Sequence, residues 1–110
     1  MSDYTISEAA AALGVSAKAL RYWESVGLFT PARTPAGYRA FSDADLERAA
    51  AIVLYRGVGL SLEDIATLLD APSHTLNTAL RRHRAELVGQ LEAIQEQVRA
   101  VDCLLYTSPS

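Results

Sequence analysis

The last third of the chain carries a regular spacing of apolar residues, and this spacing constrains the fold more than any other feature. Six residues keep a heptad spacing, with alternating steps of four and three from the second one onward: Leu80, Leu87, Leu91, Ile94, Val98 and Val101. This pattern is typical of a helix that pairs with another helix along a narrow seam. A helix of about thirty residues extends about 45 Å. The residues before Ser73 form a body too small to cover such a stripe.

We therefore predict a long helix over residues 73–102 whose seam packs on the same seam of a second copy, which gives a homodimer. The alternative is that the helix folds back on its own domain. Residues 103–110, CLLYTSPS, break with the Glu-, Gln- and Arg-rich composition before them and look like one reading frame of a sequencing-library adapter. We predict a non-native tail, so that the natural chain continues past Asp102 into an effector domain. The alternative is a native helix end in which Leu104 or Leu105 extends the seam.

The composition excludes several classes of protein. Half of the 110 residues are hydrophobic and 21% are charged, which is typical of a folded domain and not of a disordered tail. The one cysteine, Cys103, excludes an intrachain disulfide and a multi-cysteine zinc site. No apolar run reaches membrane-spanning length, and the N-terminus MSDYTISEAA is not a signal peptide. We therefore expect a cytoplasmic protein that has no membrane partner.

The sequence contains no motif that supplies catalytic chemistry. It lacks the phosphate-binding loop, the zinc-protease helix and the nucleophile elbow of serine hydrolases. Its two histidines, His74 and His83, have no evident acid or nucleophile partner. We predict that the protein is not an enzyme and that it has no catalytic residue, no cofactor and no metal.

The first third of the chain predicts a helix-turn-helix. Ser7 is a candidate N-cap for a short helix through EAAAAL, and Gly14 ends that helix. Ser16 caps a second helix over residues 17–26 after a turn of about three residues. Leu20 and Trp23 share one face of this second helix.

The opposite face of the second helix is polar, and its members are Lys18, Arg21, Tyr22 and Ser25. An ordinary solvated face is the alternative interpretation. We favour a DNA-reading face, because it is cationic and aromatic and lies on the second helix of a helix-turn-helix, which enters the major groove in DNA-binding examples.

Residues 27–41, GLFTPARTPAGYRAF, predict a short β-hairpin, here called the wing. Two prolines and two glycines exclude a helix. We predict that residues 28–30 pair with residues 38–41 around the loop 31–37. The region from Gly14 to Phe41 has a local charge of +3, although the whole chain has a net charge of -3. Four cations outweigh one acid there: Lys18, Arg21, Arg33 and Arg39 against Glu24. This basic patch favours contact with nucleic acid.

Two further helices are predicted after the wing, and we expect them to support the core. Ser42 caps the first, with Asp45 at the capping-box distance, and Ser61 caps the second. The predicted buried side of the first is formed by Leu46, Ala50, Val53 and Gly57. The apolar stripe of the second is formed by Leu62, Ile65, Leu68 and Leu69.

Residues 4–69 strongly resemble the DNA-binding domain of the MerR family of transcription regulators. The most specific segments are GVSAKALRYWESVGL, GYRAFSDADL and VGLSLEDIATLL. The segment LRRHRAELVGQLEAIQEQV resembles the TipA-like, drug-responsive branch. The resemblance implies a winged helix-turn-helix that dimerises through an antiparallel coiled coil, bends and untwists promoter DNA whose spacer is too long, and acts with RNA polymerase.

The resemblance also implies roles for individual residues. Arg21 and Tyr22 match positions that touch the DNA backbone and nearby bases, while Tyr38 and Arg39 match wing residues that hold phosphates. Lys18 lies near the end of the helix that reaches base edges. The full predicted DNA-binding set is Ser16, Lys18, Arg21, Tyr22, Arg33, Tyr38 and Arg39. The segment APSHTLNTAL at the start of the long helix lacks the cysteine of metal-sensing members, which agrees with the prediction of no metal.

The sequence thus predicts a mainly α protein, a winged helix-turn-helix with a short β-hairpin wing followed by a long C-terminal dimerisation helix. Its predicted divisions are a DNA-binding domain over residues 1–71, the dimerisation helix over 73–102 and the tail over 103–110. The predicted function is a transcription regulator that binds promoter DNA as a dimer and distorts the spacer. Two alternatives are an excisionase-like architectural DNA-binding protein and a coiled-coil interaction protein without DNA binding.

Overall fold

A computed structural model describes residues 3–107 of the chain. The chain divides between Asp70 and Ala71 into two compact units. The predicted mainly α fold, with a two-stranded antiparallel hairpin and a long C-terminal helix, is confirmed. The first unit contains α1 (Ile6–Leu13), α2 (Ala17–Ser25), β1 (Ala32–Arg33), β2 (Arg39–Ala40), α3 (Asp43–Gly57) and α4 (Leu62–Leu68), and the second contains α5 (Ser73–Thr107).

The first helix begins earlier than predicted, because its cap is Thr5 and not Ser7. The Thr5 hydroxyl accepts a hydrogen bond from the Glu8 backbone N–H at 3.1 Å, and the Glu8 carboxylate accepts one from the Thr5 N–H at 2.9 Å. This reciprocal capping box needs an acidic or amide side chain three residues after the cap. Ser7 has Ala10 at that distance, so it cannot form the same pair.

The helix-turn-helix is built as the sequence predicts. Gly14 ends α1 with a φ of 71°, a left-handed conformation that glycine adopts without strain, and its N–H donates to the Ala10 carbonyl. Ser16 then caps α2, since its hydroxyl accepts from the Ala19 N–H at 3.0 Å. The turn between the two helices is therefore fixed by local residues at each end, Gly14 at the end of α1 and Ser16 at the start of α2.

The core of the first unit draws one or two residues from most of its elements. Leu20, Phe41, Ile52 and Ile65 are fully buried, and the Phe41 ring lies tilted against Phe29 with their centroids 5.8 Å apart. On α3 the predicted buried side was wrong. The buried residues are Ala49 and Ile52, whereas Gly57 is exposed and three predicted residues are half-buried: Leu46, Ala50 and Val53. Because α3 contacts both α1 and α4, its most buried line lies between these two partners.

The first strand of the wing begins four residues later than predicted. In the observed register Ala32 pairs with Ala40, and Arg33 pairs with Arg39. Leu28 cannot join this ladder, because it is buried and its backbone already has other partners. Its N–H donates to the Trp23 carbonyl at 3.0 Å, and its carbonyl accepts from the Arg48 Nε at 2.5 Å. At the other end of the wing, Phe41 forms an isolated bridge with Tyr4 instead of pairing with the first strand.

Arg48 on α3 connects distant parts of the first unit. Besides its bond to the Leu28 carbonyl, its two terminal nitrogens donate to the Asp70 carboxylate at 2.7 and 3.0 Å. The hydrogen bonds from Arg48 lower the pKa of Asp70 below its usual value. The segment after α2 and the end of the unit are therefore both tied to α3 by one guanidinium group.

This ion pair predicts a pH-dependent contribution to stability. Because the pKa of Asp70 is lower in the folded protein, the contribution is complete above the usual aspartate value of about 3.9 and is lost as the pH falls through the folded value. Asp70 is exposed, so the effect is small. We expect Asp70→Asn to lower the thermal midpoint slightly at pH 7 and to have no effect in strong acid. Asp3→Asn removes an exposed aspartate and serves as the control. A difference in thermal midpoint between the wild type and Asp70→Asn that does not change with pH would contradict the prediction.

The second unit is a single helix, α5. None of its residues is buried, and it continues to Thr107, five residues beyond the predicted end at Asp102. The continuation has a local reason, since residues 103–107 contain neither proline nor glycine. That residues 103–110 are a non-native tail stays a prediction, and residues 108–110 lie outside the described part of the chain. Between residues 3 and 107, no helix has the length and apolar character to cross a membrane.

Candidate nucleic-acid interface

The second helix of the helix-turn-helix has one buried and one exposed face. Leu20 is completely buried and Trp23 is 7% exposed, so these two side chains anchor α2 in the core. The opposite face is open to solvent and bears the side chains of Lys18, Arg21, Tyr22 and Ser25. The core contacts of α2 therefore orient a cationic and aromatic surface outward, as the sequence predicts.

The wing presents an exposed aromatic ring at its tip. Thr34 closes the turn, since its N–H donates to the Tyr38 carbonyl at 2.7 Å and its hydroxyl accepts from the Tyr38 N–H at 3.1 Å. Gly37 lies within this turn with a φ of 89°, which only glycine adopts readily. The Tyr38 side chain remains 74% exposed. A tight backbone turn thus holds a ring that nothing in the described part of the chain covers.

Glu24 joins the second helix to the wing. Its Oε1 accepts a hydrogen bond from the Arg39 Nε at 2.6 Å, and its Oε2 accepts one from an Arg33 terminal nitrogen at 2.9 Å. The Glu24 side chain is 16% exposed, against 27% for Arg39 and 46% for Arg33. One carboxylate therefore holds both wing arginines. The sequence alone shows Glu24 only as one negative charge among four positive ones, because its partners lie nine and fifteen residues away.

The structure places the predicted DNA-binding residues in two groups and at two separate positions. Lys18, Arg21 and Tyr22 share the exposed face of α2. Arg33 and Arg39 lie opposite each other on the wing and are bound to Glu24. The remaining two residues are placed separately, because the Ser16 hydroxyl serves as the cap of α2 and Tyr38 lies at the wing tip.

Side chains that could ligate a metal ion do not cluster in the part of the chain that the structure describes. From residue 3 to residue 107, no group of three or more His, Cys, Asp or Glu side chains converges. Cys103 is exposed on α5, and His74 lies in the first turn of the same helix. The chemistry available in the first unit is that of cationic and aromatic side chains on a rigid scaffold, which suits binding to a polyanion.

Two family models match the chain and together cover most of it. Residues 4–72 match the model of the MerR HTH family regulatory protein, and residues 46–102 match the model described as MerR, DNA binding. The chain belongs to the MerR family. Its relatives are named HTH-type transcriptional activators and regulators, in line with the predicted DNA-binding transcription regulator. The family assignment favours this function over the two alternatives, an excisionase-like protein and a coiled-coil interaction protein.

Individual relatives of this MerR-family chain include the HTH-type transcriptional activator TipA of Streptomyces coelicolor. The two are 35% identical over 101 residues, which cover 91% of this chain and 40% of TipA. The chain therefore spans less than half the length of this relative. The predicted resemblance to the TipA-like members is confirmed by this similarity.

Solved structures share the fold. The N-terminal part of the Bacillus subtilis multidrug transporter activator, MtaN, has a TM-score of 0.86 at 33% identity, with 93% of this chain and 97% of that chain covered. HiNmlR, a MerR-family regulator that lacks the sensor domain and is bound to promoter DNA, has a TM-score of 0.64 at 23% identity, with 94% and 88% covered. The first of these matches confirms the winged helix-turn-helix architecture.

Proposed function

We propose that the protein binds double-stranded promoter DNA as a homodimer and distorts the promoter spacer. The observation that carries the proposal is the open cationic face of α2, Lys18 and Arg21 with Tyr22, beside a wing whose arginines are held by the same helix through Glu24. A helix with such a face fits the major groove, while arginines next to it reach phosphates. The structure of HiNmlR, which was solved bound to promoter DNA, also supports the proposal.

The cations of the interface divide into two roles in this proposal. Lys18 lies in the first turn of α2, the part of a recognition helix that approaches base edges. Arg21 is one turn further along, and Arg33 and Arg39 are on the wing, so these three contact phosphates. Phosphate contacts supply affinity for any sequence and position the helix, whereas only base contacts specify the sequence.

The dimer is supported by the surface of α5. Its seam residues are large and apolar, yet they are exposed by 36% to 57% of their surface: Leu80, Leu87, Leu91, Ile94, Val98 and Val101. An apolar stripe of this size on a regulator's surface marks a site of association. The charges of α5 favour an antiparallel second copy. The early part bears Arg81, Arg82 and Arg84, and the later part is net negative, since it bears Glu86, Glu92, Glu96 and Asp102 together with one cation, Arg99. Antiparallel pairing therefore aligns opposite charges.

Distortion of the DNA follows from the rigidity of such a dimer. Two recognition helices joined by a stiff pair of helices have a spacing that the DNA must match by bending or untwisting. The deformation energy depends on the sequence of the spacer, which adds specificity at base pairs that no side chain touches. RNA polymerase at the realigned promoter is the further partner in this proposal.

The division of roles is tested by two alanine variants. We expect Arg21→Ala to weaken binding to a selected operator and to random DNA alike, and to reduce the salt slope by about one unit for each protomer, because one phosphate contact is lost. Lys18→Ala should relax the sequence preference more than it lowers affinity for random DNA. Fluorescence anisotropy over a range of salt concentrations, with an operator selected from a random DNA pool by the wild-type protein, measures both.

Other outcomes would contradict these expectations. If Lys18→Ala lowers all affinities equally and Arg21→Ala changes the preferred sequence, the two assignments are reversed. If the wild-type protein selects no sequence from the pool, or binds random DNA without any salt dependence, the proposed function is wrong.

A further inference from the structure

The pairing of the wing strands creates an electrostatic conflict that one residue resolves. Arg33 and Arg39 face each other directly across the two strands. Like charges at directly opposite positions destabilise an antiparallel pair, and a two-stranded hairpin is only marginally stable by itself. The ladder is short, with two residues in each strand. The wing therefore depends on a counter-charge, and in the described residues that counter-charge is Glu24.

Glu24 is itself well placed to act as a fixed anchor. It lies on α2 directly after Trp23, which is 7% exposed, so the helix carries Glu24 on a segment held by the core. Its own side chain is only 16% exposed. Each of its two oxygens accepts from a different arginine, at 2.6 and 2.9 Å. The carboxylate therefore defines the position of the wing relative to the exposed face of α2.

The arginines retain donors after they bind Glu24. Arg39 uses its Nε and Arg33 uses one terminal nitrogen, and a guanidinium group has five N–H donors. The remaining donors of each guanidinium group are held in a fixed direction, since one of its nitrogens is bound to Glu24. An immobilised arginine loses little further freedom when it binds a phosphate.

We propose that Glu24 is a positioning residue that sets the specificity of DNA binding by holding Arg33 and Arg39 in one orientation beside the recognition helix. The inference rests on the proposed DNA-binding function. On random DNA, mobile arginines find phosphates in many arrangements, so the anchor contributes little there. On the operator, the wing and the base-reading face of α2 must engage in one register, so a fixed wing strengthens the specific complex. Glu24 thus increases the preference for the operator although it carries the same charge as the DNA.

Two substitutions test the charge and the length of the Glu24 side chain separately. Glu24→Gln keeps the length and removes the charge, while Glu24→Asp keeps the charge but is too short to reach both arginines. We expect the ratio of operator to random-DNA affinity to fall about tenfold in both variants, since two rotamer-rich side chains are released. The salt slope on random DNA should become steeper by about one unit for each protomer with Gln, because one negative charge leaves the interface, and should not change with Asp.

Glu47→Gln is the matched control. Glu47 is an exposed glutamate of α3 that has no side-chain hydrogen bond or ion pair to any residue between 3 and 107, and its substitution removes the same charge from the same unit. It should leave the affinity ratio unchanged. Amide hydrogen exchange provides a second measurement, and we expect faster exchange at Thr34 and Tyr38 in both Glu24 variants, with the core of α2 unaffected.

The outcomes distinguish this proposal from the proposed function. If the wild-type protein prefers the operator and either Glu24 variant keeps the ratio within about twofold, the anchor is not needed for specificity and the inference is overturned. The same holds if Glu47→Gln lowers the ratio as much as Glu24→Gln does. If the wild-type protein itself shows no preference for any DNA, the proposed function has failed instead.

Discussion

A chain in which Leu87 and Ile94 are both replaced by aspartate is expected to be monomeric at micromolar concentration. Both side chains lie on the seam of α5, where they are 42% and 57% exposed in one copy. Burying one such side chain completely contributes about 1.5 to 3 kcal/mol. Aspartate at these positions removes that contribution from both copies and places four carboxylates in an apolar interface, two from each chain. Light scattering measures the change in mass.

The same substitution should weaken operator binding by a factor of about 100 or more. Two DNA-binding units that are joined bind the second half-site at a high effective concentration, and this gain is lost in a monomer. Affinity of one unit for random DNA should decline far less, because the face of α2 and the wing are unchanged. The loss of operator affinity is therefore a loss of coupling between two intact units.

A matched control adds the same number of aspartates to α5 but on a face outside the seam. Ala85 and Ala93 are exposed on α5 at positions outside the seam, and Ala85→Asp with Ala93→Asp adds the same two carboxylates. This variant should remain a dimer with operator affinity close to that of the wild type. A wild-type protein that is monomeric at micromolar concentration would contradict the dimer, as would a control variant that dissociates equally.

Phe41→Ala is expected to have the largest effect on the stability of the DNA-binding unit. The ring is fully buried, lies against Phe29, and occupies the point where the wing meets the cap of α3 at Ser42. Removing a buried phenylalanine side chain costs about 3 to 5 kcal/mol. A unit of 70 residues has a total stability of about 4 to 10 kcal/mol at the usual value per residue. The variant should therefore lose about half of the free energy of unfolding, which urea denaturation followed by tryptophan fluorescence measures at Trp23.

Tyr38→Ala provides the comparison for Phe41→Ala. It removes an aromatic ring from the same wing, three residues earlier, but that ring is 74% exposed. Its effect on the free energy of unfolding should remain within about 0.5 kcal/mol. Equal losses in the two variants would mean that Phe41 is not the central contact of this core.

Local signals in the sequence predicted the helices and most of their ends. Gly14, Ser16 and Ser42 act on backbone groups within four residues of themselves, and each was assigned its correct role. The faces of α2 were also predicted correctly, because a helix of nine residues with Leu20 and Trp23 on one side has only one way to bury both. The long helix α5 was predicted from its heptad spacing, and its end was placed five residues too early.

Features that depend on two or more distant segments were not predictable in the same way. The sequence pattern predicts a strand at Leu28. In the structure Leu28 is buried in the core instead, and its carbonyl accepts a hydrogen bond from Arg48, twenty residues later. The buried line of α3 was displaced because two helices cover it. The paired arrangement of Arg33 and Arg39 on Glu24 follows from the register of the hairpin, which residues 28–33 alone do not specify.

The sequence by itself determined the family, the order of helices, the cationic face of α2 and the apolar seam of α5. These properties reside in residues at most a few positions apart, so the periodicity of a helix and the hydrogen bonds of a cap suffice to specify them. Only the tertiary structure decided where the wing begins, which side of α3 is buried and what Glu24 does. Those depend on competition between distant groups for the same buried space and the same donors, and that competition is resolved only when the whole unit has folded.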